Sequence, residues 1–205
     1  MLSQSPMIGE IITMGRYPCG AGGEVHPIEW QVMEVEEERV LVLARHILEA
    51  RPYGMSPEPT CWETSDLRRW LNEEFLPQAF SEAEIGRILG EAELPEAGMD
   101  AFLWQMFGMY TTTGGIRERV FVPMVEDMAR WYPQEAESAM FYHGAEAEAT
   151  LWAQEQGATE GCWWLRESMQ QAAMAYICSP CASVGVSAIS ETNLQGVRPA
   201  MWLRR

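Results

Sequence analysis

Histidine is scarce, with three in 205 residues, and His26, His46 and His143 stand far apart with no cysteine or carboxylate at ligand spacing. A histidine-built metal or acid–base site therefore has little basis. Basic residues are few as well: Lys and Arg total 14 against 30 Asp and Glu, for a formal net charge of −16. A body this acidic repels nucleic acid and anionic membrane at long range, which argues against both as partners. No apolar run approaches the roughly 20 residues of a membrane helix. The opening Met1-Leu2-Ser3-Gln4-Ser5-Pro6 lacks the basic-then-apolar build of a signal peptide. The expectation is a soluble chain with no membrane insertion. Five cysteines (Cys19, Cys61, Cys162, Cys178 and Cys181) form no even disulfide framework, so reduced thiols are the default. A phosphate-cradling glycine loop, a nucleophile elbow and a basic–aromatic ladder are all missing. Gly20-Ala21-Gly22-Gly23 leads into a strand, without the helix N-terminus that a phosphate would want. Carboxylates are too numerous for any pair to stand out. Catalysis and a cofactor are accordingly not expected.

What is present is a core. A hydrophobic share of 47% with 10% aromatic residues supports one packed domain over residues 1–205. Ile11–Tyr17 reads as a first strand, followed by a turn-prone loop through Gly23. Ile28, Trp30 and Val32 alternate with Glu29 and Gln31, Glu36–Arg39 supplies a solvated turn, and Val40–Leu43 continues as a more buried strand. Three prolines keep Arg51–Pro59 irregular. A helix starts near Ser65, with Leu67, Trp70, Leu71 and Phe75 on its core face and Arg68, Arg69, Glu73 and Glu74 on the solvated one. Ser81 and Glu84 form a capping box for a second helix that turns Ile85, Ile88 and Leu89 inward. Residues 102–110 form a dense Met and aromatic cluster, read as an insertion folded onto the core. Val120–Val122 reads as a strand, and Pro123 opens a helix with Val125, Met128 and Tyr132 inward, stopped at Pro133. Residues 134–157, rich in Ala and Glu, are expected to be partly helical. Strands, helices and a strand-rich ending together make an α+β domain of mixed short strands with two or more flanking helices.

The ending has its own character. Gly161-Cys162-Trp163-Trp164-Leu165-Arg166 and Gly196-Val197-Arg198-Pro199-Ala200-Met201-Trp202-Leu203 are aromatic and apolar, each beside an arginine, and suit buried strands. Between them the chain is rich in Ser, Ala, Cys and Gln. From Glu160 onward three acids meet four arginines, so this part carries +1 and the remainder −17. The contrast reads as a rigid frame around an adaptable surface, or as a plain strand–loop–strand ending. Cys178-Ser179-Pro180-Cys181 is the one compact thiol pair, but a closed zinc site needs two more ligands that no nearby motif supplies.

Several blocks in order resemble a family of uncharacterised bacterial domains, common in gut Firmicutes and their phages, with a Trp-Trp-Leu-Arg then Gly-Val-Arg-Pro-Ala-Leu-Trp ending. In this chain they are Gly15-Arg16-Tyr17, Pro27–Val32, Arg51-Pro52-Tyr53, Thr64–Asn72, Val120-Phe121-Val122, Trp163–Arg166 and Gly196–Ala200. That ending looks like the C-type-lectin-like fold, in which first and last strands pair and a long irregular segment displays the ligand surface. Variable proteins of diversity-generating retroelements share this architecture, and their C-terminal segment is rewritten by adenine-directed mutagenesis. The resemblance implies a ligand-binding, non-enzymatic display domain with residues 160–205 as its variable part. Its partner would be a macromolecule, chiefly a protein, and its location cytoplasmic or phage-associated, with surface display open. The implied contacts are Ser168, Met169, Gln170, Gln171, Met174, Tyr176, Cys178, Ser179, Cys181, Ser183, Ser187, Ser190 and Asn193. Ala175, Tyr176, Cys178, Ser179, Pro180, Cys181, Ser183, Ser187, Ser190 and Asn193 are residues that adenine replacement in an Asn-type codon can yield; Met169, Gln170 and Gln171 are not. Glu167-Ser168-Met169 stands where the family tends to have Ser-Pro-Gly. Two alternatives stay open. One is a formylglycine-generating type of oxidoreductase, whose Asn-Leu-Gly-Phe-Arg ending is echoed by Asn193–Arg198, although its copper cysteines are separated by four residues and Cys178 and Cys181 by two. The other is a phage or bacterial interaction module without diversification. Calcium-lectin tripeptides are absent, so calcium-mediated sugar binding is not implied.

Overall fold

Alternating apolar residues and tight charged turns build the first half of the molecule as hairpins. The computed structural model describes residues 6–18, 24–56, 60–90, 118–132, 161–169, 173–178 and 184–205. Strand β1 (Ile11–Pro18) pairs antiparallel with β2 (Val25–Val35), which pairs with β3 (Arg39–Ala44) across the Glu36–Glu38 turn. The 102–110 cluster and the 134–157 stretch lie outside the described residues.

The protein is mostly β, with a few short helices. A four-stranded sheet has the order β1-β2-β3-β9, where β9 (Ala200–Arg204) closes beside β3. A five-stranded sheet has the order β4-β8-β5-β6-β7, made from β4 (Glu49–Arg51), β5 (Trp163–Met169), β6 (Met174–Cys178), β7 (Val184–Ala188) and β8 (Gln195–Val197). Its pairs are antiparallel except for β5 and β8, which meet in parallel at Trp163 and Gly196. The expected pairing of first and last strands is corrected: β9 joins β3, and β1 lies at the far edge of the sheet. β3 is buried along Val40–Ala44 and β9 along Ala200–Leu203, so each offers the other an apolar strand, whereas β1 is half exposed.

The helices follow their caps. Ser65 accepts the Arg68 N–H at 3.1 Å and starts α1 (Asp66–Trp70), which continues through a π-helical turn (Leu71–Phe75) into α2 (Leu76–Ala79). Leu67, Trp70, Leu71 and Phe75 are buried, as their spacing predicts. The Ser81–Glu84 capping box starts α3 (Glu82–Ile85), and Glu84 also accepts the Gly15 N–H at 2.9 Å. Gly15 sits at a bulge of β1 with φ +73°, and a Cβ there would lie 2.6 Å from the Phe80 ring. Only glycine meets both demands. Helix α4 (Val125–Trp131) buries Met128, and Tyr132 after it is buried too. Val120–Val122 is no full strand: Phe121 alone bridges Ala200, because Val120 is held by Asn72. Among the described residues no helix is long and apolar enough to cross a membrane.

Candidate functional site

The two aromatic brackets do form a frame. Trp163, Trp164 and Leu165 are buried, as are Val197, Arg198, Met201, Trp202 and Leu203. Each arginine lies on aromatic surface: Arg198 stands over Trp163 at 5.0 Å and donates Nε to the Ala44 carbonyl at 2.8 Å, while Arg166 stands over Phe121 at 4.6 Å. The Trp164 ring meets Tyr53 edge-on at 5.5 Å and donates Nε1 to the Arg51 carbonyl at 2.7 Å. The Trp164 ring is thus buried with its indole N–H satisfied, which fixes its orientation.

β5 leaves its ladder with β6 between Trp164 and Ser168. Its backbone finds other partners there: the Arg166 N–H donates to the Pro123 carbonyl at 2.9 Å, and the Tyr53 hydroxyl donates to the Arg166 carbonyl at 2.6 Å. Two buried acids lie at this irregularity, Glu118 facing Arg166 and Glu167 on β5 itself. Glu118, 2% exposed, accepts from Trp62 Nε1 at 2.7 Å and pairs with Arg68 and Arg166, each at 3.3 Å. Arg68, expected on the solvated helix face, is therefore turned to a buried carboxylate. Glu167, also 2% exposed, accepts the Val125 N–H at 2.9 and 3.1 Å. Burial pushes its pKa up to about 7, opposed by the Val125 hydrogen bond and by Arg166 and reinforced by Asp127. Tyr53 is also pushed upward, mainly by burial. Burial disfavours the ionised forms of the Tyr53 phenol and of Glu167, and both arginines are paired with Glu118.

The residues implied as contacts fall into three sets. Ser168, Tyr176 and Cys178 are buried, which corrects their expected exposure. Ser168 lies opposite Ala175 on a covered face, and Cys178 lies opposite Trp163. Tyr176 is shielded beside Glu167, and both burial and that carboxyl raise its pKa. Met169 and Met174 are half-buried and face each other across β5 and β6. Ser187, Ser190 and Asn193 are half-buried and lie in or near β7, the last strand of the second sheet among the described residues. Asn193 Nδ2 donates to Ser187 Oγ at 2.8 Å and to the Ala188 carbonyl, and Gln195 Nε2 donates to Asn193 Oδ1 at 3.0 Å. That network ties β7 to β8. Gln170, Gln171, Ser179, Cys181 and Ser183 lie outside the described residues.

Residues that the sequence reading passed over include Val184 and Val186, both exposed on edge strand β7. Their signal was available, since Val184-Gly185-Val186 is a short β-branched run between Ser- and Ala-rich stretches. Asn72 was also missed: it donates to the Arg68 and Val120 carbonyls and accepts from the Arg119 and Val120 N–H groups. Among the described residues no group of three or more His, Cys, Asp and Glu side chains could hold a metal ion. No curated protein and no solved structure matches the chain. A family model does match, over residues 37–205 and so through both brackets, the Glu118 hub and edge strand β7, and the chain belongs to that family, Domain of unknown function (DUF6273).

Proposed function

We propose that the chain is a ligand-binding domain on a C-type-lectin-like plan, without catalysis, whose ligand is a protein or another macromolecule but not nucleic acid. The observation that carries this reading is the step in burial across the second sheet. β5, which carries Trp163 and Trp164, and β8 are largely buried, whereas β7 is an exposed, uncharged edge strand. Among the described residues no strand pairs with the outer edge of β7, which offers main-chain hydrogen bonds, and Val184 and Val186 add apolar contact. Ser187, Ser190 and Asn193 border it, while Gln170, Gln171, Ser179, Cys181 and Ser183 enter the proposal by sequence position alone. Retroelement diversification of this segment is the finer form of the same reading. It is supported at Ser190, half-buried beside β7, and opposed at Ser168, Ala175 and Cys178, where a large side chain would disturb packing, and at Ser187 and Asn193, whose side chains tie β7 to β8. The oxidoreductase reading gains nothing from Cys178, which is fully buried opposite Trp163.

Two experiments test the proposal separately. The chain contains no lysine, so amine-reactive reagents are of little use and a photo-reactive side chain is placed at Val186, with a control at exposed Glu82. A macromolecule captured from Val186, absent from the Glu82 control and displaced by excess unlabelled protein, is the expected result. Identical capture from both positions rejects the β7 surface. For diversification, the genome should hold a neighbouring reverse transcriptase and an imperfect copy of this segment differing at adenines. Their absence from a complete genome rejects that part and leaves a fixed binding module.

A further inference from the structure

Residues 118–132 strap the two sheets together. Toward the first sheet, Phe121 and Ala200 exchange N–H···O bonds of 3.0 and 2.6 Å, and Arg130 and Trp131 Nε1 of α4 reach Glu34 of β2 at 2.9 and 2.8 Å. Toward the second sheet, the Pro123 carbonyl takes the Arg166 N–H, and Glu167 takes the Val125 N–H on both carboxyl oxygens. The anchors differ in kind. Glu34 is neutralised by Arg130, but among the described residues no cation comes within ion-pair distance of Glu167.

The groups that act on Glu167 come from four elements. From α4 comes Asp127, a buried carboxylate already engaged by the Met124 N–H at 2.8 Å and by Arg130. From β6 comes the Tyr176 phenol, and from the segment after β4 the Tyr53 phenol. From β5 itself comes Arg166, whose charge is shared with Glu118. Glu167 is 2% exposed with a like charge beside it and an arginine drawn to Glu118, and this burial outweighs the backbone N–H groups of Val125 and of Glu167 itself, so the neutral acid is favoured more than in water. The upward pKa shift to about 7 agrees with that geometry.

We propose that Glu167 is a proton-operated fastener of this strap: protonated, it seats the first turn of α4 on β5; ionised, it draws water in and lets that turn lift. Because the proton is held more tightly in the seated state, the fastening is complete below the ordinary carboxylate range and is lost as pH rises through neutrality. This inference does not depend on the binding role proposed above.

The test is hydrogen exchange at the amides of α4, corrected for intrinsic rates, in the wild-type chain and in Glu167→Gln. Between about pH 5 and about pH 8, wild-type protection should fall on the order of 10- to 100-fold, as expected for a group whose pKa drops from near neutrality to its ordinary value on opening. Glu167→Gln should stay flat, and Asp127→Asn should move the wild-type midpoint downward. Parallel profiles in wild type and Glu167→Gln would overturn the proposal. Carbon-13 NMR titration of the wild-type Glu167 carboxyl avoids any folding defect of the variants. A midpoint near neutrality supports the fastener, and one in the ordinary carboxylate range overturns it.

Discussion

Replacing Glu118 with alanine is expected to remove more stability than any surface change in the molecule. The carboxylate is 2% exposed and serves Trp62, Arg68 and Arg166 together. The two arginine side chains are themselves only 17% and 12% exposed, so neither reaches bulk water once the carboxylate is gone. Breaking a buried pair from one side costs about 3–5 kcal/mol, because it strands the opposite charge. For a chain of this size that corresponds to a loss of about 6–20 °C in melting temperature. Glu118→Gln keeps an acceptor for Trp62 but not the charge, and should lose an intermediate amount. Urea unfolding with unchanged m-values is the assay. Adding Arg68→Met to the alanine variant should cost less than the same change in the wild type, by about 0.5–3 kcal/mol of coupling. High salt should barely alter these losses, because the pairs are shielded from ions. A loss below about 1 kcal/mol for Glu118→Ala, or strict additivity in the cycle, would refute the view of Glu118 as a buried hub.

Further outcomes follow from single contacts. Asn72→Ala removes four hydrogen bonds, three of them to Arg119 and Val120, which lead into Phe121, the residue that bridges Ala200 of β9. It should destabilise by about 2–3 kcal/mol in urea titration, with Asn72→Asp no better because it lacks the donors. Gly15→Ala meets both a positive φ and the Phe80 ring, and should lower the melting temperature clearly, whereas Gly90→Ala, with open space at its Cβ, should not. Cys178 is fully buried, so a thiol reagent should label it only on unfolding, while half-buried Cys61 reacts in the native state.

Local elements were legible because their causes are local. The Ile28–Trp30–Val32 alternation and the Ser65 cap each act within a few residues and produced the element expected, while the Ser81–Glu84 box starts only the single turn Glu82–Ile85, and Ile88 and Leu89 are buried beyond it, against β9. Sheet order was not legible. β9 chooses β3 rather than β1 through matched burial of two distant strands, and β4 and β8 are three-residue pieces with no periodicity to detect. Arg68 shows the same limit at a single side chain. Helical spacing places it away from Leu67, toward what reads as solvent, but Glu118 stands there, 50 positions along the chain. The implied contacts divided for a related reason. Ser, Cys and Tyr mark a permissive surface by type, yet which of them face water depends on the β5 bulge, which buries Ser168 and Cys178 and leaves β7 outside.

A buried aromatic frame and an exposed edge strand should differ sharply in what they contribute to stability. The direct measurement is urea unfolding of Trp164→Ala beside a combined Val184→Thr, Val186→Thr variant. Trp164 is fully buried, so its truncation should cost about 3–5 kcal/mol. The two valines are about 40% exposed on an edge strand, so their combined replacement should stay within about 1 kcal/mol. Comparable losses in the two variants would mean that β7 belongs to the core, and would contradict the account.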